Sequence, residues 1–189
     1  MSEQTTKKQE SLVLYVARLA LILLAITAVV AAALAGVNSI TAPRIAEINA
    51  EKTQKAINAV LPGGGDEVDF TDASGWVNTV YKSDLGYAVQ VTPPTGFDGD
   101  ISMMVGIDNE GNVLGISIIS HTETAGLGAV AAATTSAGEA FRGQFVGMNG
   151  SVAVSKDGGE VEAITGATIT SRAICDGINA ALECVANMG

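Results

Sequence analysis

Cysteine and histidine are scarce in this chain of 189 residues, which holds two cysteines and one histidine. Cys175 and Cys184 lie nine residues apart in a segment with helical periodicity. On a helix this spacing separates them by ~13 Å on roughly opposite sides, whereas a disulfide joins Cα atoms within ~7 Å. Since there is also no Cys-x-x-Cys pair and no Cys/His cluster, we expect no intrachain disulfide, iron–sulfur cluster or structural zinc site.

Basic residues are also few, with 10 lysines and arginines against 20 acidic residues and a net charge of −10. Beyond residue 35 the imbalance is 18 acidic against seven basic side chains. A surface of this sign is not expected to bind nucleic acid. Any phosphate bound by this part of the chain would depend on backbone N–H groups more than on a basic patch.

Two common enzyme signatures are missing as well. No Gly-x-Gly-x-x-Gly motif follows a predicted strand, so the sequence offers no dinucleotide-binding fingerprint. No nucleophile-elbow motif accompanies the single histidine. The sequence therefore offers no acid–base pair for a hydrolase.

A long apolar run is present at residues 12–35, interrupted only by Tyr15, Arg18 and Thr27. As a helix it spans ~36 Å, enough to cross a bilayer. Its flanking lysines and the end Ala33-Leu34-Ala35 also resemble a secretory signal with a cleavage site. The length of the run favours an uncleaved anchor. We therefore predict a cytoplasmic tail at 1–11, a transmembrane anchor at 12–35 and an extracytoplasmic remainder.

The sequence beyond residue 35 predicts an α+β domain with an antiparallel sheet flanked by helices. Thr41 and Pro43 suit the start of a linker helix within 36–62, and 63–189 forms the folded domain. A hairpin turn is predicted at 108–112. The predicted strands are 76–82, 86–92, 101–108, 113–120, 151–155 and 160–164, and the predicted helices are 41–61, 129–145 and 171–188.

Two polar segments carry the candidate site residues. The first, residues 121–128 with the sequence His-Thr-Glu-Thr-Ala-Gly-Leu-Gly, follows a strand, where binding sites are common. The second is Thr165-Gly166-Ala167-Thr168, a run of small and hydroxylated residues before the last helix. There, Thr168 offers an accessible hydroxyl beside a helix N-terminus that favours phosphate. The alternative is an ordinary helix start capped by Thr170 or Ser171.

Taken together, these two segments resemble the FMN-binding domain of the G subunit of the Rnf electron-transport complex. The C subunit of the sodium-pumping NADH:quinone oxidoreductase is a close relative. The resemblance extends over 86–89, 96–101 and the N-terminal apolar helix. It implies that FMN is joined through a phosphoester to the last Thr of a Ser/Thr-Gly-Ala-Thr motif, which is Thr168 here.

The resemblance also implies a maturation step and a set of partners. A flavin transferase would make the bond with FAD as donor and Mg²⁺, and the chain would relay electrons beside other subunits of the membrane complex. The complex would pass electrons between ferredoxin and NAD⁺ and couple this to Na⁺ or H⁺ transport. Arg172 is a possible charge partner for the phosphate. Candidates for binding the cofactor are Thr168, His121, Glu123, Thr124, Leu127, Thr165, Gly166 and Ala167.

Two positions depart from the family pattern. The family loop usually reads His-x-Glu-Thr-Pro-Gly-Leu-Gly, and Ala125 replaces its proline. An acid, most often Asp, usually precedes the flavin motif by three residues, and Glu162 stands there. Because His121 and Glu123 lie on a polar loop, we expect substitutions there to affect the flavin more than the stability of the fold.

Other functions remain open from sequence alone. An anchored extracytoplasmic binding module without redox activity would use the same anchor and loops with Thr168 unmodified. The C subunit of the quinone reductase is the other alternative, although the compact length of this chain resembles the Rnf subunit more. Flavin that stays on the denatured protein would distinguish the flavoprotein from the binding module.

Overall fold

The computed structural model describes the backbone of residues 2–188 and the side chains of residues 14–188. The chain forms two compact units, one ending at Asn49 and one beginning at Ala50. The first consists of most of helix α1 (Ser2–Val60). The second contains the last turns of α1, a five-stranded antiparallel sheet and two further helices, which confirms the predicted α+β fold. The predicted tail at 1–11 lies outside the described side chains.

Helix α1 includes a candidate membrane span. Among the described residues, Leu14–Val60 is the one helical segment long and apolar enough to cross a bilayer, judged by length and composition. Its best 18-residue window has a mean hydropathy of 2.7, and none of that window is buried by the protein. The segment therefore fits a single-pass membrane anchor.

The predicted start of a separate helix at Thr41 is wrong. The Thr41 hydroxyl donates to the Val37 carbonyl at 3.0 Å, four residues back along the same helix. A threonine that bonds to the preceding turn lies within a helix and does not cap a new one. Helix α1 accordingly includes Pro43 and ends at Val60.

The sheet has the strand order β1-β2-β3-β4-β5, with every neighbouring pair antiparallel. Four strands were predicted to within one residue at each end. The short strand β1 was missed, because three residues are too few to show a period. The strands are β1 (Asp66–Val68), β2 (Val77–Ser83), β3 (Gly86–Val91), β4 (Ile101–Ile107) and β5 (Val113–His121).

Both faces of the sheet are covered, which explains the nearly continuous apolar sequence of β4. On one face the end of α1 packs against Ala88 and Met104. A side-chain carbon at Gly106 would lie 2.5 Å from the Val60 carbonyl oxygen, so glycine allows this close approach. The other face carries the larger core, in which Val89, Val105 and their neighbours pack against the last helix.

The segment after β5 contains two short helices where one was predicted over 129–145. A 3₁₀ helix (Gly128–Ala132) is followed by helix α2 (Ser136–Gly143). Between them, Thr135 has extended backbone angles and its side chain accepts from the Gly138 N–H at 3.4 Å. Thr135 therefore starts a new helix by N-capping it, and the single-helix prediction is wrong.

The two strands predicted at 151–155 and 160–164 are also wrong. Only one parallel bridge, Val154 to Val161, joins these stretches. A 3₁₀ helix (Ser155–Asp157) follows Val154, and Gly158 ends it with a left-handed φ of 88°. The backbone groups of Val152 bond to the Asn179 side chain and those of Glu162 bond to the Gln144 side chain, so the two stretches do not pair as strands. The turn between them positions Lys156 at the site described below.

The last helix, α3 (Thr168–Ala186), begins three residues earlier than predicted. The Ser171 N–H already donates to the Ala167 carbonyl at 3.0 Å, which makes Ala167 the N-cap residue. Thr170 and Ser171, the predicted alternatives for the cap, lie inside the first turn. Their hydroxyls bond to Glu123 and to the Ala167 carbonyl instead.

Both cysteines lie buried and unbridged on α3. Burial raises the pKa of Cys175 to about 12 and also raises the pKa of Cys184. At neutral pH both side chains are therefore thiols inside the core, where they pack as small apolar groups.

Candidate functional site

A cavity of about 310 Å³ lies where four segments of the second unit meet. The segments are the loop between β3 and β4, the loop after β5, the 3₁₀ turn at Ser155–Asp157 and the first turn of α3. Apolar side chains, hydroxyls and one cation share its surface. The lining residues are Phe97, Glu123, Thr124, Leu127, Gly128, Lys156, Gly166, Ala167, Thr168, Ile169 and Thr170.

Thr168 is the first residue of α3 and its side chain is half-buried at the cavity wall. The turn before it contains Gly166 at a φ of 78°, a conformation that favours glycine. A side-chain carbon there would also lie 3.1 Å from the Leu127 methyl. The small residues of this motif thus keep the approach to the Thr168 hydroxyl open.

A buried carboxylate links two sides of the cavity. Glu123 is only 7% exposed, and one of its oxygens accepts from the Phe97 N–H at 2.7 Å. The other oxygen accepts from the Thr170 hydroxyl, also at 2.7 Å. Glu123 therefore fixes the loop that carries Phe97 to the first turn of α3.

Glycines make room for this carboxylate. A methyl group at Gly128 would overlap both Glu123 and the Thr170 hydroxyl. A methyl group at Gly96 would lie 2.7 Å from a Glu123 oxygen. The glycines of the two loops are therefore needed for the acid to reach its donors.

The cation of the cavity is Lys156. Its ammonium donates to the Thr168 hydroxyl oxygen at 3.2 Å. The adjacent Asp157 accepts two hydrogen bonds from the Arg172 guanidinium, at 2.6 and 2.7 Å. These bonds lower the pKa of Asp157 and raise that of Arg172. Arg172 is thus paired with Asp157, and Lys156 stands in the place that the sequence suggested for Arg172.

Most of the candidate residues from the sequence meet in this one cavity. They come from two loops some 40 residues apart in the chain, brought together by the packing of α3 against the 3₁₀ helix after β5 and by the Thr170–Glu123 hydrogen bond. The candidates in the lining are Glu123, Thr124, Leu127, Gly166, Ala167 and Thr168.

Two candidates lie elsewhere. Thr165 is exposed in the turn before α3 and does not line the cavity. His121 is the last residue of β5 and borders a separate open cleft of about 440 Å³ with Asp98 and Asp100. Its Nδ1 is buried and has no hydrogen-bond partner among the described residues. The structure therefore does not place His121 beside Thr168.

Residues that sequence reasoning did not single out for the site complete the lining. Phe97 and Ile169 are 64% and 47% exposed, and with Leu127 at 43% they form an apolar rim. Phe97 could have been identified from the sequence, because it belongs to the segment 96–101 that contributes to the family resemblance. Nothing in the sequence indicates Lys156, since a single lysine in a polar turn is most often solvated.

A larger cavity of about 700 Å³ lies between the β4–β5 hairpin and the C-terminal half of α3. Its lining includes Tyr87, Asn149, Asn179 and Glu183. Within the part of the chain that the structure describes, this lining holds no candidate residue, no threonine and no cation. The chemistry suggested by the sequence is therefore concentrated in the smaller cavity.

Comparison with known proteins matches two parts of the chain to known families. The FMN-binding domain matches residues 96–183, which include every residue that lines the smaller cavity. The RnfG N-terminal region matches residues 15–60, most of helix α1.

Whole-chain relatives agree with these matches. The chain is 33% identical over 193 residues to the G subunit of the Na⁺-translocating ferredoxin:NAD⁺ oxidoreductase complex of Acetobacterium woodii, covering 90% of this chain and 92% of that one. It is 33% identical to the G subunit of the ion-translocating oxidoreductase complex of Methanosarcina acetivorans, with 85% and 89% covered. The corresponding protein of Aliivibrio fischeri strain MJ11 is 32% identical, with 94% and 90% covered.

Proposed function

The chain belongs to the G-subunit family of ion-translocating oxidoreductase complexes, and we propose that it carries FMN bonded to Thr168 Oγ and relays electrons within such a complex. Family membership makes it an electron-transport flavoprotein subunit with an FMN-binding domain. The observation that carries the finer proposal is the position of Thr168, whose hydroxyl faces a cavity at the start of α3 inside the matched domain.

The residues of the cavity fit an FMN group. The apolar rim of Phe97, Leu127 and Ile169 offers surface for a flavin ring, and exposed apolar side chains gathered around a cavity commonly mark a binding site. The Lys156 ammonium and the N–H groups of the first turn of α3 suit a phosphate. The hydroxyl, the cation and the apolar surface thus match the three chemical parts of a phosphate-linked flavin.

Attachment would occur during maturation, catalysed by a flavin transferase with FAD and Mg²⁺. Thr168 Oγ bonds to the FMN phosphorus of FAD, the bond from that phosphorus to the AMP oxygen breaks, and AMP leaves with the electron pair. A base of the transferase takes the Thr168 proton. Glu162 is exposed three residues before Thr165, where the transferase can reach it.

After attachment the chain's own residues position and shield the cofactor. FMN supplies the redox chemistry, and the protein fixes its orientation and surroundings. Glu123 would hold the Phe97 loop against α3, so that the apolar rim keeps one shape. The hydroxyl of Thr124 donates to Asp98 at 3.3 Å. This bond joins the loop after β5 to the loop between β3 and β4 at the rim.

The wider arrangement follows from the anchor. Helix α1 would cross the membrane once and leave the FMN-binding domain on the extracytoplasmic side, where a covalent bond prevents loss of the cofactor. The other subunits would supply and accept the electrons. The Acetobacterium relative belongs to a complex named for ferredoxin, NAD⁺ and Na⁺ translocation. We propose the same donor and acceptor here, with Na⁺ or H⁺ as the coupling ion.

Substitution of Thr168 tests the proposal. Thr168→Ala, co-expressed with a flavin transferase, should give folded, membrane-bound protein without flavin fluorescence on a denaturing gel. Thr168→Ser should retain part of the flavin, because the hydroxyl survives. The matched control is Thr165→Ser, which should remain fully fluorescent, since Thr165 lies outside the cavity.

Flavin that persists covalently in Thr168→Ala would show that another hydroxyl is modified. A wild-type protein that carries no flavin at all would contradict the proposal and leave an anchored binding module as the function.

A further inference from the structure

Lys156 is the one positively charged residue among the described residues that line the site cavity. Its ammonium reaches the Thr168 hydroxyl oxygen at 3.2 Å across 12 residues of sequence. The remaining lining is neutral except for Glu123, whose carboxylate is directed to Phe97 and Thr170. The positive charge of the cavity is thus concentrated beside the one hydroxyl proposed to carry a phosphate.

The fold holds Lys156 in this place by an ion pair on the next residue. Asp157 binds the guanidinium of Arg172, which lies one helical turn after Thr168 on α3. This pair joins the 3₁₀ turn to the same helix face on which Thr168 stands. Because Arg172 is paired with Asp157, Lys156 is the basic group directed at Thr168 Oγ.

We propose that Lys156 binds the phosphate of the FMN carried by Thr168 and stabilises that phosphate during attachment. The inference rests on the proposed function, since it needs the phosphoester at Thr168. A phosphodiester has two non-bridging oxygens that share one negative charge. An ammonium has three donors, so Lys156 can turn from the hydroxyl oxygen to those oxygens without a change of backbone.

The alternative is that Lys156 is a solvated lysine that touches Thr168 without consequence. Its side chain is exposed, and exposed ion pairs are usually weak. A phosphate fixed by a covalent bond differs from such a pair, because only the lysine remains to be ordered. We therefore expect an effect of about threefold to tenfold on attachment, between the ranges for exposed pairs and for charge-assisted hydrogen bonds.

The first experiment measures attachment. The full chain in detergent is incubated with flavin transferase, FAD and Mg²⁺, and the initial rate of FMN addition is followed by intact mass. Lys156→Met should slow attachment about threefold to tenfold, and Lys156→Arg should recover most of the rate. The control is Lys52→Met, an exposed lysine outside the cavity that removes the same charge. It should react as wild type does.

The second experiment reads the phosphate contact without the transferase. Fully loaded wild type and Thr168→Ala are treated with acetic anhydride, and acetylation of Lys156 is measured relative to Lys52 in the same sample. A phosphate bound to Lys156 engages its nitrogen in charge-assisted hydrogen bonds, so acetylation should be at least about threefold slower in the loaded protein.

Each result decides the proposal. Equal acetylation rates in loaded protein and Thr168→Ala, or attachment to Lys156→Met at the rate of Lys52→Met, would overturn the role of Lys156. The proposed function would stand in that case, because wild type still carries flavin on Thr168. Wild type without flavin on Thr168 would overturn both.

Discussion

Replacement of Glu123 by alanine should destabilise the second unit, although Glu123 lies on a polar loop. The carboxylate is 7% exposed and accepts from the Phe97 N–H and from the Thr170 hydroxyl. Thr170 is 1% exposed, so its hydroxyl would lose its acceptor in an almost fully buried position. The loss of this buried hydrogen bond costs about 1–3 kcal/mol. The loss at the Phe97 amide costs less, because that amide is nearer the surface and can bind water. We expect a total cost of about 2–3 kcal/mol.

Glu123→Gln separates the hydrogen bonds from the charge. The glutamine oxygen can accept from the Phe97 N–H, and its amide nitrogen can donate to the Thr170 oxygen. Both neighbours remain paired and only the charge assistance is lost, so the cost should stay below about 1 kcal/mol. The expectation from sequence that substitution of Glu123 changes stability little is therefore kept for glutamine and given up for alanine.

The measurement is thermal unfolding of the full chain in detergent, followed by circular dichroism. For a unit of this size, about 2–3 kcal/mol lowers Tm by about 5–10 °C. Glu160→Ala is the control, since Glu160 is exposed and its replacement removes the same charge. If Glu123→Ala melts within about 1 °C of Glu160→Ala, the network does not hold the loop to α3 and the reasoning is refuted.

Three further outcomes follow from the structure. Gly128→Ala should lower Tm as Glu123→Ala does, because its methyl would overlap the carboxylate, whereas Gly143→Ala has open space and should not; equal melting of the two would contradict this. Both cysteines should resist a thiol reagent in the folded protein even at about pH 9, since burial raises their pKa, and two should react after unfolding; fewer than two would reveal a disulfide. Protease added to intact protoplasts should digest the chain beyond residue 35 and leave a membrane fragment. Protection of the domain from the protease would contradict its extracytoplasmic location.

Local sequence pattern was sufficient to predict the four longer strands of the sheet, although not β1. The four longer strands show alternation or continuous apolar sequence, and the hairpin between β4 and β5 contains the turn residues that such hairpins require. Asp108 confirms the turn by accepting from the Glu110 and Asn112 N–H groups at 2.9 and 2.8 Å. The same reasoning failed at 151–164, where the glycine turn was recognised but the flanking residues form only one bridge.

The site was predictable where function lies in one motif and not where it depends on packing. Thr168 and Glu123 were each identified from the short motif that contains them. Phe97 and Lys156 join the site through contacts over 26 and 12 residues, which no local period reveals. His121 was grouped with Glu123 because both belong to the polar segment 121–128, but β5 ends at His121, which borders a different cleft.

The mass of the tryptic peptide that contains Thr168 tests the central claim most directly. Protein expressed in its native host, denatured and washed free of loose cofactor, should yield this peptide with the added mass of FMN minus water. Fragmentation should place that mass on Thr168 and on no other hydroxyl of the peptide. An unmodified peptide, or FMN located on Thr165, Thr170 or Ser171, would contradict the account.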